Sequence, residues 1–234
     1  MPVVRTVLGD VDPAALGRVN YHEHLFQVSP LLPGDELDDE AASGAEAGFL
    51  KASGFEAMVD ATPFGLARDP AALARISAAT GLHIIATTGR HREAHYGADH
   101  PMQVWTADRL AALFVSDITR GMPADDAAVF ETPDVPSASA PEGGAVRAGM
   151  LKGGVDYWRI SPFERTTLLA VAAAHRATGA PVMVHLEFCT AASRSSTSCA
   201  AVQNSRCTIT GAPVSRWAAA TASRVVRSKG LMRQ

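Results

Sequence analysis

The segment Tyr21-His22-Glu23-His24-Leu25-Phe26 places two imidazoles one residue apart. In an extended strand alternate side chains share one face, so His22 and His24 project together. Two imidazoles side by side form half a site for a divalent cation, whereas a core histidine next to a solvated one would give the same spacing without that chemistry. Two further polar residues follow apolar runs. Lys152 comes after Gly149-Met150-Leu151 and before Gly153-Gly154, and His185 comes after Pro181-Val182-Met183-Val184. A polar side chain in such a place is costly unless it has a partner. Alone, Lys152 reads as a snorkelling surface lysine and His185 as a satisfied core histidine. At matching positions of separate strands, His22, His24, Lys152 and His185 read as one site. No serine or cysteine stands out as a nucleophile.

Strands are expected over residues 18–26, 55–62, 83–88, 147–152 and 181–187. Helices are expected over 41–52, from Asp69-Pro70 to Gly81, over 106–120, and from Ser161 to Thr178. The last opens on a capping box, Ser161-Pro162-Phe163-Glu164, and stops at Gly179. Strand and helix alternate with no hairpin signal, which points to a parallel sheet with helical crossovers. A barrel and an open doubly wound sheet both fit, although no GxGxxG motif follows a strand. In a parallel barrel, functional side chains gather at the C-terminal strand ends, where the four residues above fall.

The chain resembles the phosphotriesterase family of the amidohydrolase superfamily, and in particular its phosphotriesterase-homology members. The matching segments are Thr6-Val7-Leu8-Gly9 with Asp12-Pro13, His22-Glu23-His24-Leu25-Phe26 and Val59-Asp60-Ala61-Thr62-Pro63. They continue through Ile85-Ala86-Thr87-Thr88-Gly89, Gly149-Met150-Leu151-Lys152-Gly153-Gly154 and Gly179-Ala180-Pro181-Val182-Met183-Val184-His185, in order over roughly residues 5–190. The resemblance implies a hydrolase of ester bonds (phosphotriester, lactone or carboxylic ester) on a (β/α)₈ TIM barrel. It also implies two divalent metal ions, usually Zn²⁺, that share a hydroxide nucleophile. His22 and His24 would hold one metal, His185 the other, and a carboxylated Lys152 would bridge them. A free ammonium cannot ligate a cation, whereas a carbamate offers two anionic oxygens. The expected partner is a small-molecule ester, and a homodimer is an option if the barrel were complete.

The family pattern also asks for a histidine on the sixth strand and an aspartate on the eighth. No histidine follows His185 and no carboxylate side chain follows Glu187. The expected fold is therefore α/β, an incomplete (β/α)₈ TIM barrel of about five βα units over residues 1–192, with a non-native tail over 193–234. The alternative to an active hydrolase is a catalytically defective product that at most binds metal weakly.

Composition narrows the remaining classes. With 234 residues, a net charge of −3 and a pI near 6.2, nucleic acid is not an expected partner. No apolar run reaches the roughly 20 residues of a membrane span, and the N-terminus lacks a secretory signal, so a cytoplasmic location is expected. Cys189, Cys199 and Cys207 show no CxxC spacing. The charge is unevenly spread. Seven of the 21 basic residues lie after residue 192 and none of the 24 acidic ones does, so residues 1–192 carry 14 − 24 = −10 and the tail +7.

The genetic code accounts for that tail better than an anionic partner does. Complementing and reversing the first two bases of the codon at position i fixes the first two of the codon at 392 − i. This rule holds for 34 of the 35 pairs from 158/234 to 192/200, Ala177/Ser215 being the exception. Ala172-Ala173-Ala174-His175, for instance, is answered by Trp217-Ala218-Ala219-Ala220. Residues 200–234 thus resemble antisense translation of 158–192. Of the other candidates, His91, His95 and His100 are expected as solvated loop residues near a substrate mouth. His83 and His175 are expected to be structural, and Asp60 to orient a ligand histidine.

Overall fold

The computed structural model describes residues 2–132, 134–157 and 159–186. The antisense arm of the inverted repeat (200–234), the basic tail and the three cysteines lie outside the described residues. The chain opens on an antiparallel hairpin, β1 (Val4–Thr6) and β2 (Gly9–Val11). This corrects the expectation of no hairpin: Thr6 Oγ1 closes the turn by accepting Leu8 N–H and donating to Gly9 O. A five-stranded parallel sheet follows in sequential order, namely β3 (Val19–Glu23), β4 (Ala57–Asp60), β5 (His83–Arg90), β6 (Met150–Val155) and β7 (Val182–Leu186). Between them run α1 (Glu40–Ala52), α2 (Pro70–Thr80), α3 (Ala107–Thr119) and α4 (Pro162–Thr178).

Local chemistry sets the helix ends. Asp39, Asp69, Thr106 and Ser161 each cap an N-terminus with a side-chain oxygen, and Glu164 completes the capping box of α4. Gly81 and Gly179 end α2 and α4 in the left-handed conformation. Pairing, rather than local sequence, sets the strand ends, and several of them differ from expectation. β3 stops at Glu23, leaving His24 just beyond it. β6 starts at Met150 and not 147, because Val146 N–H and Ala148 N–H donate instead to Ala138 O and Asp117 O. It also runs past Lys152, since Gly153, Gly154 and Val155 pair with Val184, His185 and Leu186.

The core lies between the sheet and its helices, where Met58, Leu73, Ile84, Phe114, Leu151 and Val171 are buried. Burying each such side chain contributes about 1.5–3 kcal/mol. Among the described residues, no helix is long and apolar enough to cross a membrane.

Candidate functional site

His22 lies one residue from the end of β3 and His24 one residue past it, with ring centroids 5.4 Å apart. Lys152 has no exposed surface, and its Nζ lies 3.2 Å from His22 Nε2 and 3.5 Å from Met183 Sδ. Lys152 pairs in register with Met183, and His185 stands two residues further along the same face of β7. The His185 ring is 5.7 Å from that of His22. In the sheet order β4 and β5 separate β3 from β6, yet His22 and Lys152 touch. A sheet curled as in a barrel brings them together, with the site on its concave side. The four residues singled out from sequence are therefore neighbours.

Hydrogen bonds fix the first pair. His24 Nδ1 shares a hydrogen bond of 2.8 Å with Thr62 Oγ1, leaving its Nε2 for another partner. Asp60 accepts Leu25 N–H at 2.8 Å and Thr62 N–H at 3.0 Å. It was expected to orient a ligand ring; it reaches His24 indirectly, through the N–H of the adjoining Leu25 and through Thr62, whose hydroxyl meets the ring. Burial pushes the Asp60 carboxyl up to about 6, against the two N–H donors.

Burial also works against the charged forms of His24 and Lys152. It draws His24 down to about 3, with the nearby Lys152 and His22 adding to the effect. It draws Lys152 down to about 8, opposed by Asp60. His24 is thus a neutral imidazole at neutral pH, as a cation ligand must be, while Lys152 is still mostly an ammonium there.

The expectation of solvated loop histidines fails for two of the three. His91 and His95 are 4% and 5% exposed, their rings 4.0 Å apart, and His91 lies 5.2 Å from His185. Tyr96 folds the segment inward, accepting His91 N–H and donating to Phe64 O, both at 3.0 Å. Ser29 Oγ is 3.0 Å from His95 Nδ1. Burial and the neighbouring His95 and Lys152 drive His91 far below the usual imidazole range. His100 is half-buried against Tyr96 and Phe130. His175 is structural, its Nδ1 2.8 Å from Ala180 O.

Three supports have no forerunner in the sequence reading. Arg90 ends β5 with 1% exposure, and its guanidinium stacks 3.4 Å from the Phe163 ring centroid. It donates to Thr167 Oγ1 at 2.8 Å, Met102 O at 2.7 Å and Phe163 O at 2.5 Å. It follows Thr87-Thr88-Gly89 rather than an apolar run, so the signal that marks Lys152 is missing here. Arg68 forms buried ion pairs with Asp117 at 2.8 Å and Asp126 at 2.9 Å. Gly89, at φ +144°, faces Lys152 so closely that a Cβ there would overlap the Lys152 carbonyl.

As placed, no group of three His, Cys, Asp or Glu side chains among the described residues could hold a metal ion. The fit of the site to a cation lies in its donor chemistry: four nitrogen side chains stand side by side, and burial lowers the proton affinity of two of them, His24 and Lys152.

The model of the phosphotriesterase family matches residues 2–129 and 138–216. The phosphotriesterase homology protein of Mycobacterium tuberculosis is 34% identical over 201 residues, covering 79% of this chain and 55% of that protein. The N-acetyltaurine hydrolase of Rattus norvegicus is 27% identical over 216 residues, covering 78% and 56%. A mutant PTE-like lactonase of Deinococcus radiodurans superposes with a TM-score of 0.67 at 28% identity, covering 86% of this chain and 59% of that one. The chain spans about half the length of the curated relatives it matches.

Proposed function

The chain belongs to the phosphotriesterase family, and from that premise we propose a metal-dependent hydrolase site for ester bonds, of a phosphotriester, a lactone or a carboxylic ester. The observation that carries this reading is the contact between His22 and Lys152 across two intervening strands, with His24 and His185 beside them. His22, His24 and His185 would hold two divalent cations, most readily Zn²⁺, with Lys152 between them. When bound, such cations supply Lewis acidity and make water a nucleophile at neutral pH.

The side chains have their own tasks. Thr62 holds the His24 ring by Nδ1, and Asp60 fixes both Thr62 and the adjoining Leu25 through their backbone N–H groups. Lys152, pushed down to about 8, is an amine in a useful fraction near neutral pH. It can add to CO₂ through Nζ, forming an N–C bond and releasing one proton, and the product is an anionic oxygen donor. His91 and His95 cover the cluster and keep water from its loop side.

A second reading, a product that binds metal weakly and does not turn over, is favoured by the lack of a ready three-residue ligand group among the described residues. Turnover separates the two. The metal-loaded chain is assayed on a phosphotriester, a lactone, a carboxylic ester and an N-acyl amide, before and after chelation. Hydrolysis of an ester that stops on chelation and returns with zinc supports the first reading. Hydrolysis that survives complete metal removal overturns it, and metal uptake without turnover supports the second.

A further inference from the structure

The opposite end of the sheet carries a cleft separate from the histidine cluster. It has a volume of about 360 Å³ and lies between the β1–β2 turn, the C-terminal end of α3 and residues 140–147, which lead into β6. It therefore faces the N-terminal ends of the strands. Arg120 and Arg147 line it, and no acidic residue does. On a body whose residues 1–192 sum to 14 − 24 = −10, a cleft with cations alone is a local reversal of sign.

Two carboxylates lie near the cleft: the exposed Glu142, between the lining residues Ala140 and Gly143, and Asp10, which Arg147 also attracts. Asp10, the carboxylate next to the turn, accepts two hydrogen bonds from Arg5 at 2.8 and 3.0 Å. A helix C-terminus ordinarily presents bare carbonyls and a negative pole. At α3, Ile118 O accepts from Arg5 Nη1 at 2.7 Å and Asp117 O from Ala148 N–H at 3.0 Å. On the facing wall Gly143 and Gly144, at φ +91° and +85°, border open space, so the backbone there carries no side chain to obstruct a ligand.

The geometry points to this cleft as a binding site for a small molecule bearing a phosphate group, held by the guanidiniums of Arg120 and Arg147. Guanidinium forks match phosphate oxygens, and the volume suits a small ligand. The site is independent of the hydrolase reading, since it shares no residue with the histidine cluster.

The test is a titration of the metal-free full-length chain with inorganic phosphate at constant ionic strength, followed by backbone amide NMR shifts. Saturable shifts are expected at Gly9, Gly143 and Gly144, with a Kd on the order of 1 mM. Binding should weaken about tenfold in the double variant R120Q/R147Q and stay unchanged in R165Q, which alters an exposed arginine of α4. Arg120 is exposed and bonds Ser116 Oγ on its own helix, so the single variant R120Q keeps the test open should the double variant fail to fold. An undiminished response in the arginine variants overturns the proposal. So do equal shifts with chloride, shifts confined to the histidine cluster, or no saturation. Tighter binding of succinate than of phosphate overturns the assignment to phosphate.

Discussion

Lys152 is a lysine with no exposed surface whose Nζ meets an imidazole and a thioether. Burying an ammonium in that setting costs far more than leaving it in water, which is why its proton is loosely held. The backbone beside it is equally constrained. Gly89→Ala would force Lys152 and its strand aside, and we expect it to cost about 2–4 kcal/mol in urea unfolding and to lower zinc uptake. An alanine variant with wild-type stability and zinc uptake would contradict that packing. Arg90→Met would remove three buried hydrogen bonds, to Thr167 Oγ1, Met102 O and Phe163 O, together with the stacking on Phe163. We expect a loss of about 2–4 kcal/mol, read by the same measurement, and a change under 0.5 kcal/mol would contradict it. His22, His24, Lys152 and His185 were legible because a polar residue ending an apolar run needs a partner. Arg90 was not legible that way, because Thr87-Thr88-Gly89 precede it and its partners lie on α4 and in the loop around Met102. His91 and His95 were not legible, because Ser29 and the fold of Tyr96 onto Phe64 bury them, and neither contact follows from the loop's own composition.

The elements divide along the same line. Helix limits came close to the sequence reading, because Asp69, Ser161, Glu164, Gly81 and Gly179 act on their own neighbours. Strand limits did not, because partners distant in sequence set them: Ala138 and Asp117 take the N–H groups that would have begun β6 earlier. The N-terminal hairpin depends on Arg5, which bonds Asp10 across it and Ile118 O on α3. Arg5 holds the Asp10 carboxyl below the usual carboxylate range by hydrogen bonding. A carboxylate with a depressed folded-state pKa adds stability above its unfolded pKa, near 4, and loses it as pH falls through the folded value. Asp10→Asn should therefore cost under about 1 kcal/mol at pH 7, since the pair is largely solvent-screened, and progressively less below about pH 4. Unfolding of both proteins across pH 3–7 checks this. A difference that grows on acidification would contradict the assignment.

At the scale of the whole molecule, a curled parallel sheet of five strands places its polar residues at one rim, and a second, cationic cleft lies at the other. The body is the phosphotriesterase-family fold, while we read residues 200–234 as an antisense echo of 158–192. That reading used only the first two bases of each codon, so the third bases provide an independent check. Sequencing the locus across these codons should show third positions complementary as well, as one continuous inverted repeat. Third positions no more complementary than chance would contradict it. At the first rim, on the function proposed above, His22, His24, Lys152 and His185 would together hold divalent cations. Cobalt(II) titration of the full-length chain, followed by its visible absorption and by bound-metal analysis, tests this most directly. We expect saturable uptake with ligand-field bands, and loss of those bands and of at least one bound equivalent in the variant H22N/H24N. Uptake and spectrum unchanged in H22N/H24N would contradict the claim.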